Sequence, residues 1–187
     1  MPAPNALTLA FVMDPIESVN IREDTTFALM LEAQRRGHRV LYIDPADLGI
    51  RDGRACARAT PVELRRELGN HVSKGEPEWL FLDDAVDVAF QRTDPPVDEA
   101  YIVATQILGV CQRTLVLNRP SGILSLNEKL YALHFPELMP PTIVTRQIAE
   151  LRDFMEKIGG EMVVKPLAGR GGEGVFHVSA DDRNMAS

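Results

Sequence analysis

The sequence predicts an α/β protein that opens with a doubly wound, parallel sheet. An apolar run at residues 7–13 ends at Asp14-Pro15, as a buried strand would. A helical pattern then begins after Asp24, a typical N-cap, and ends before Gly37, a typical C′ residue. A second apolar run follows at residues 38–43. A strand, a helix and a strand at this spacing form a βαβ unit with parallel strands.

The middle of the chain adds short strands and one helix. Asp52-Gly53 lies between two short alternating runs and predicts a hairpin with a type I′ turn. Residues 61–70 fit either a strand or a helix. Trp79 and Tyr101 are predicted to be core residues. The remaining predictions are strands at 79–82, 86–91 and 114–118, a turn at 83–84 and a helix at 98–111.

A second domain is predicted to begin after Pro120, giving domains at 1–120 and 121–187. It reads as a small α+β unit, with helices at 121–135 and 148–158 and strands at 141–145 and 161–165. Two or three strands can hardly cover both faces of their own sheet. We therefore expect this second domain to be incomplete.

The second domain contains a glycine-rich loop, with four glycines within residues 169–174. Glycine lets backbone N–H groups close on an anion, and Lys165 before the loop adds a positive charge. The pattern predicts a phosphate-binding hairpin, although an ordinary flexible turn remains an alternative. It is not a Walker loop, because no G-x-x-x-x-G-K-[ST] occurs. A G-x-G-x-x-G match is present, but the strand-like run at 175–178 stands where a dinucleotide site needs a helix.

Composition excludes several classes of protein. A net charge of −7 argues against a nucleic-acid partner. No apolar stretch is long enough to span a bilayer, and the N-terminus lacks the positive flank of a signal peptide. Cys56 and Cys111 are expected to be free thiols in a reducing cytoplasm, and the four histidines lack zinc-ligand spacing.

Five motifs occur in a familiar order along the chain. They are FVMDPI at 11–16, LEAQRRG at 31–37, RTDPP at 92–96, NEKL at 127–130, and VKPL at 164–167 followed by the glycine loop. The sequence thereby resembles prokaryotic glutathione synthetase, a member of the ATP-grasp ligases. The resemblance implies a Rossmann-like preATP-grasp domain followed by the first part of an ATP-grasp domain, and it covers only the front portion of such an enzyme.

The resemblance also implies site residues. The positions expected to bind ATP are Lys129, Lys165, Gly169, Arg170, Gly171 and Gly172. Those expected to bind γ-glutamylcysteine are Asp14, Arg92 and Asp94. No catalytic residue is assigned, and ligands for Mg²⁺ or Mn²⁺ are expected after Ser187. Ala168 departs from the family, which often has an acidic residue there. From the residues alone, strand-end turns are the favoured interpretation of the Asp-Pro pairs, and a surface charge is that of Lys129. The resemblance reverses the interpretation of the Asp-Pro pairs.

The implied reaction has two steps. ATP phosphorylates the C-terminal carboxylate of γ-glutamylcysteine, and the amine of glycine then displaces phosphate to form glutathione. The resemblance implies a cytoplasmic homo-oligomer acting on small molecules, without nucleic-acid or membrane partners. We expect the 187-residue chain alone to lack ligase activity. Two alternatives remain: a non-catalytic remnant or binding module that complements a separate C-terminal half, and another ATP-grasp carboxylate–amine ligase.

Overall fold

A computed structural model describes residues 6–168 and 171–182 of the chain. The chain divides into two compact units, unit 1 at Met1–Ser125 and unit 2 at Leu126–Ser187. The predicted domain boundary after residue 120 lies slightly before this division and stays a proposal.

Unit 1 contains one sheet with helices on its two faces. The strands are β1 (Thr8–Val12), β2 (Arg39–Ile43), β3 (Leu48–Arg51), β4 (Arg54–Leu64), β5 (Val72–Lys74), β6 (Glu78–Phe81), β7 (Val88–Gln91) and β8 (Leu115–Leu117). The helices are α1 (Thr25–Arg35), α2 (Leu82–Ala85), α3 (Glu99–Leu108) and α4 (Pro120–Ser125), with short 3₁₀ turns at Ile16–Ser18 and Pro45–Asp47.

The sheet is mixed. Strands β2, β1, β7 and β8 are parallel neighbours in that order. Strand β4 pairs antiparallel with β2, and β3, β5 and β6 pair antiparallel with β4. The α/β, doubly wound prediction is confirmed for the four parallel strands. The other half of the sheet is antiparallel because short hairpin connections reverse the chain.

The two faces of the parallel strands are covered by different helices. Phe11 of β1 packs in one cluster with Phe27 and Met30 of α1. Val12 packs in the opposite cluster with Leu108 of α3. Successive residues of a strand point to opposite faces, so the near-continuous apolar run of β1 is what burial on both sides requires.

The predicted start and end of α1 are confirmed. The Asp24 carboxylate accepts a hydrogen bond from the Phe27 N–H at 2.6 Å, which satisfies one of the unpaired donors at the helix N-terminus. Gly37 follows the helix with φ +81°. Glycine reaches this left-handed region without steric penalty, so the chain can turn directly into β2.

The predicted hairpin is also confirmed, since Asp52 (φ 50°) and Gly53 (φ 73°) connect β3 to β4. The ambiguous stretch 61–70 is a strand as far as Leu64. The turn predicted at 83–84 is wrong, because both residues lie within the one-turn helix α2.

The prediction that Trp79 is a core residue is wrong. Its side chain is 53% exposed. It lies on β6, paired with Arg58 of β4, and the Arg51 guanidinium lies 4.5 Å from the centre of its ring. The indole is thus covered by a cation instead of the core.

Unit 2 is a small α+β unit. Its elements are α5 (Glu128–Tyr131), α6 (Ile148–Lys157), β9 (Glu161–Val164) and β10 (Phe176–Ser179), with 3₁₀ turns at Ala132–His134 and Pro136–Leu138. Strands β9 and β10 form an antiparallel hairpin around the glycine loop. The strand predicted at 141–145 is wrong. Pro140 and Pro141 donate no backbone hydrogen bond, and the Thr142 hydroxyl bonds instead to the Pro140 carbonyl at 2.8 Å.

Candidate functional site

The first candidate site lies at the carboxyl edge of the parallel strands. Strand β1 has β2 on one side and β7 on the other, so the chain changes direction across β1. Such a switch point opens a crevice in which doubly wound sheets bind ligands. Asp14 follows β1, and Arg92 and Asp94 follow β7. The structure therefore brings all three residues predicted to bind substrate to this crevice.

Two backbone N–H groups of the loop after β7 fix it to the end of β1. The Arg92 N–H donates to the Val12 carbonyl at 2.7 Å. The Asp94 N–H donates to Asp14 Oδ2, also at 2.7 Å. The Asp14 carboxylate is consequently a structural acceptor as well as a charge at the crevice, because it holds Asp94 in place.

Two hydroxyl groups hold the Arg92 side chain. Its Nε donates to Thr26 Oγ1 at 2.9 Å, and its Nη2 donates to Thr25 Oγ1 at 3.0 Å. Both threonines belong to the first turn of α1. Neither threonine belongs to a motif of the sequence, although both directly follow the predicted Asp24 cap. The guanidinium is thereby oriented, and its planar fork suits a carboxylate.

A buried polar group lies at the end of β7. Gln91 is 3% exposed, and its Nε2 donates to Thr105 Oγ1 at 2.6 Å. Its Oε1 has no hydrogen-bond partner among the described residues. Buried acceptors are nearly always paired, so this one marks the strand end as unusual. The sequence pattern of β7 predicts a strand, but it does not indicate that Gln91 is buried.

A charged cluster lies near the end of β2. Lys74 Nζ is 2.5 Å from Glu17 Oε1 and 4.6 Å from the centre of the Tyr42 ring. The hydrogen bond from Lys74 lowers the pKa of Glu17 below its usual range. Burial, followed by the nearby Asp44 carboxylate, raises the pKa of Tyr42. Tyr42 therefore stays protonated, and its hydroxyl donates to Asp44 Oδ2 at 3.4 Å.

The second candidate site lies in unit 2, where a lysine lies beside the glycine loop. The Asn127 side chain caps α5 by accepting the N–H groups of Lys129 and Leu130 at 3.0 and 3.2 Å. Lys129 Nζ donates to the Leu167 carbonyl at 3.3 Å. Lys165 is exposed two residues earlier on the same segment. Two predicted ATP-binding lysines are thus associated with one loop.

Two described glycines of the loop adopt left-handed backbone, which favours glycine. Gly171 and Gly172 have φ values of 58° and 82°, and no atom lies within 4 Å of the position that a Cβ would occupy on either. Space is therefore open at both positions, but a side chain there would be strained because of the positive φ. Gly174 is constrained differently, since a Cβ there would lie 3.2 Å from Pro166. Gly169 and Arg170, also predicted to bind ATP, lie outside the described residues.

No metal site is assigned. In residues 6–168 and 171–182, no group of three histidine, cysteine, aspartate or glutamate side chains could hold an ion. Within the same ranges, no helix is long and apolar enough to cross a membrane.

Comparison with known proteins places both units in one family. Residues 7–123 match the family model described as prokaryotic glutathione synthetase, N-terminal domain. Residues 128–187 match the model of its ATP-grasp domain. The glutathione synthetase of Brucella melitensis is 44% identical over 183 residues, which is 97% of this chain and 58% of the relative. That of Xanthomonas axonopodis is 41% identical over 189 residues, with 96% and 57% covered.

A solved structure supports the fold. The RimK domain ATP-grasp protein from Sphaerobacter thermophilus superimposes with a TM-score of 0.55 at 20% identity, over 96% of this chain and 55% of that one. At this identity the likeness shows the fold alone. The predicted ATP-grasp relationship is confirmed instead by the family match of residues 128–187. The chain spans 58% of the length of the Brucella relative. With both family domains matched in order and a recognisable glycine loop in the second, the chain belongs to the prokaryotic glutathione synthetase family.

Proposed function

We propose that this chain takes part in the ATP-dependent ligation of γ-glutamylcysteine to glycine through an acyl phosphate. The observation that carries the proposal is the match of both domains of the family, in order, at residues 7–123 and 128–187. The chain spans 58% of the length of the Brucella relative, so the whole reaction is proposed for it by kinship.

In this proposal the carboxyl edge of unit 1 binds γ-glutamylcysteine. Arg92 is the group that pairs with a carboxylate of the dipeptide, because Thr25 and Thr26 already hold its guanidinium in one orientation. Asp14 and Asp94 supply negative charge for the ammonium group. A zwitterionic dipeptide carries both kinds of charge, which supports this ligand class over a simple anion.

Unit 2 binds the phosphates of ATP. Lys129 and Lys165 supply positive charge, and the glycine loop, residues 169–172, binds the terminal phosphate. Lys129 Nζ donates to the Leu167 carbonyl at 3.3 Å, just before the glycine loop. This bond keeps the lysine charge beside the loop before ligand binds. A closed loop also excludes water, which protects an acyl phosphate from hydrolysis.

A divalent ion, Mg²⁺ or Mn²⁺, neutralises charge on the transferring phosphoryl group in such enzymes. The described residues offer no group of ligands for it. We therefore assign the ion no residues in this chain. The roles proposed here are limited to binding and orienting the two substrates.

Binding by the chain itself tests the proposal. We expect isothermal titration calorimetry to show saturable binding of γ-glutamylcysteine and of ATP. Lys129→Ala should weaken ATP binding about 5- to 30-fold, since loss of one charge-assisted contact at a partly exposed site costs about 1–2 kcal/mol. Its control, Lys157→Ala, removes an exposed lysine at the end of α6 and should leave the affinity unchanged. Equal losses in both variants would contradict the assignment of Lys129.

Turnover is tested in a chimera, because the chain spans only part of the length of its relatives. The matched stretch of the Brucella enzyme is replaced by this chain, and ADP release is followed with γ-glutamylcysteine, glycine and ATP. Release that depends on both amino substrates supports ligation. Release with a different carboxylate substrate would favour another ATP-grasp ligase, and a folded chimera without turnover would favour a non-catalytic binding module.

A cytoplasmic location and a homo-oligomeric state are also proposed. Cys56 and Cys111 are free thiols, which supports a reducing compartment. Fractionation of native cells locates the protein, and light scattering on the purified chain gives its oligomeric state.

A further inference from the structure

The β4–β5 hairpin of unit 1 touches the loop that carries Asp14, and no role above accounts for this contact. We infer that His71, at the start of this contact, is a positioning residue for the γ-glutamylcysteine site. The inference rests on the proposed function for the identity of the ligand, while the positioning itself can be tested without ligand.

His71 is 7% exposed. Its Nε2 lies 2.8 Å from the carbonyl oxygen of Ile16, two residues after Asp14. A carbonyl only accepts hydrogen bonds, so Nε2 carries the proton and donates it. The imidazole also makes a T-shaped contact with the Phe27 ring of α1, with centroids 5.7 Å apart and planes at 79°. The side chain thus links the loop after β1 to the helix that follows it.

The hairpin that carries His71 is itself fixed. Arg65 N–H donates to the His71 carbonyl at 3.0 Å, and Arg65 Nε donates to the Asn70 carbonyl at 2.6 Å. Beyond His71, the ammonium of Lys74 pairs with Glu17 at 2.5 Å. The loop after β1 is therefore held at two successive residues by one rigid hairpin.

The hydrogen bond from His71 to Ile16 affects the crevice in two steps, first through Asp14 and then through Asp94. Ile16 is fully buried, and its carbonyl is fixed by His71, which limits how far Asp14 can move. Asp14 in turn accepts the N–H of Asp94 at 2.7 Å. Loss of the His71 donor should therefore loosen Asp94.

Amide hydrogen exchange of the ¹⁵N-labelled chain tests this relay. His71→Leu removes the donor, whereas His71→Gln keeps an N–H donor on a side chain of similar length. We expect the Asp94 amide to exchange about fivefold faster in the Leu variant, relative to the Phe11 amide in the sheet core, and at nearly the wild-type rate in the Gln variant. The control is His38→Leu, since His38 Nδ1 accepts the Leu7 N–H at the opposite end of β1.

The exchange rates and the affinities together decide whether His71 positions the loop. Equal Asp94 rates in the Leu and Gln variants, or the same acceleration at Phe11, would overturn the inference. If the relay exists, the affinity for γ-glutamylcysteine should fall about fivefold in His71→Leu, recover in His71→Gln, and leave ATP affinity unchanged. If the wild-type chain binds no γ-glutamylcysteine, the proposed ligand is wrong, and the exchange rates still decide whether His71 positions the loop.

Discussion

The Arg92–Thr26 hydrogen bond gives a prediction whose size follows from the structure. Thr26 is 3% exposed, and its hydroxyl accepts Arg92 Nε at 2.9 Å. Thr26→Val keeps the shape of the side chain and removes the acceptor. A hydrogen bond to a charged donor contributes about 1.5–3 kcal/mol, but Arg92 is only half-buried and retains Thr25. We expect a loss of about 1 kcal/mol, or roughly fivefold weaker binding of γ-glutamylcysteine.

Arg92→Lys should cost more, because lysine has no planar fork and cannot replace the two contacts to Thr25 and Thr26. We expect affinity to fall about 10- to 100-fold, or about 1.4–2.8 kcal/mol. Thr26 acts on the ligand only through Arg92 in this reasoning. Adding Thr26→Val to Arg92→Lys should therefore cost nothing further, and the double-mutant cycle should give a coupling of about 1 kcal/mol.

Isothermal titration calorimetry on the wild type, the two single variants and the double variant measures this coupling. The matched control is Thr114→Val, which removes another buried hydroxyl, one that donates to the Val86 carbonyl at 3.0 Å near the amino ends of β7 and β8. It should lower stability without changing affinity. Additive losses for Thr26 and Arg92 would refute the claim that the threonine orients the guanidinium.

Two further predictions concern the stability of unit 1. Burial opposes ionisation of Asp83, but hydrogen bonds from the backbone N–H groups of residues 112–114 outweigh it and lower the pKa to about 2. The stabilisation that follows from this lowered pKa is present above about pH 4 and is lost as the pH falls toward 2. After allowance for solvent screening, Asp83→Asn should lower the free energy of unfolding by about 1–2 kcal/mol at pH 7 and by less at pH 3. Urea unfolding followed by Trp79 fluorescence checks this, and a pH-independent difference would contradict it. By the same assay, Met30→Ala, at a fully buried position, should cost about 2–5 kcal/mol, whereas Leu29→Ala, 46% exposed, should change stability by less than about 0.5 kcal/mol.

Features set by neighbouring residues could be predicted from the sequence. The Asp24 cap and Gly37 define the ends of α1, and Asp52-Gly53 defines a hairpin, because each depends on the backbone preference of one or two residues. Trp79 could not be placed this way. A strand has two faces, and the strand pattern alone does not say which of them is buried. The environment of Trp79 depends on Arg51, which lies on another strand.

The candidate site depends on contacts between distant parts of the sequence. His71 reaches Ile16 across 55 positions, and Arg92 reaches Thr26 across 66. No local pattern encodes such pairs. The family resemblance selected Asp14, Arg92 and Asp94 but not the threonines and histidine that hold them, since those residues belong to no motif used in the comparison.

The structural and functional interpretations of the two Asp-Pro pairs do not compete. Proline disfavours the helical conformation for the residue before it, and Asp14 and Asp94 each precede a proline shortly after the end of a strand. Parallel pairing of β1 with β7 sets Val12 opposite Gln91, which brings both strand ends to the same edge. The Asp94 N–H can then reach the Asp14 carboxylate at 2.7 Å. The segments that follow the two strands therefore bring Asp14 and Asp94 together at the crevice.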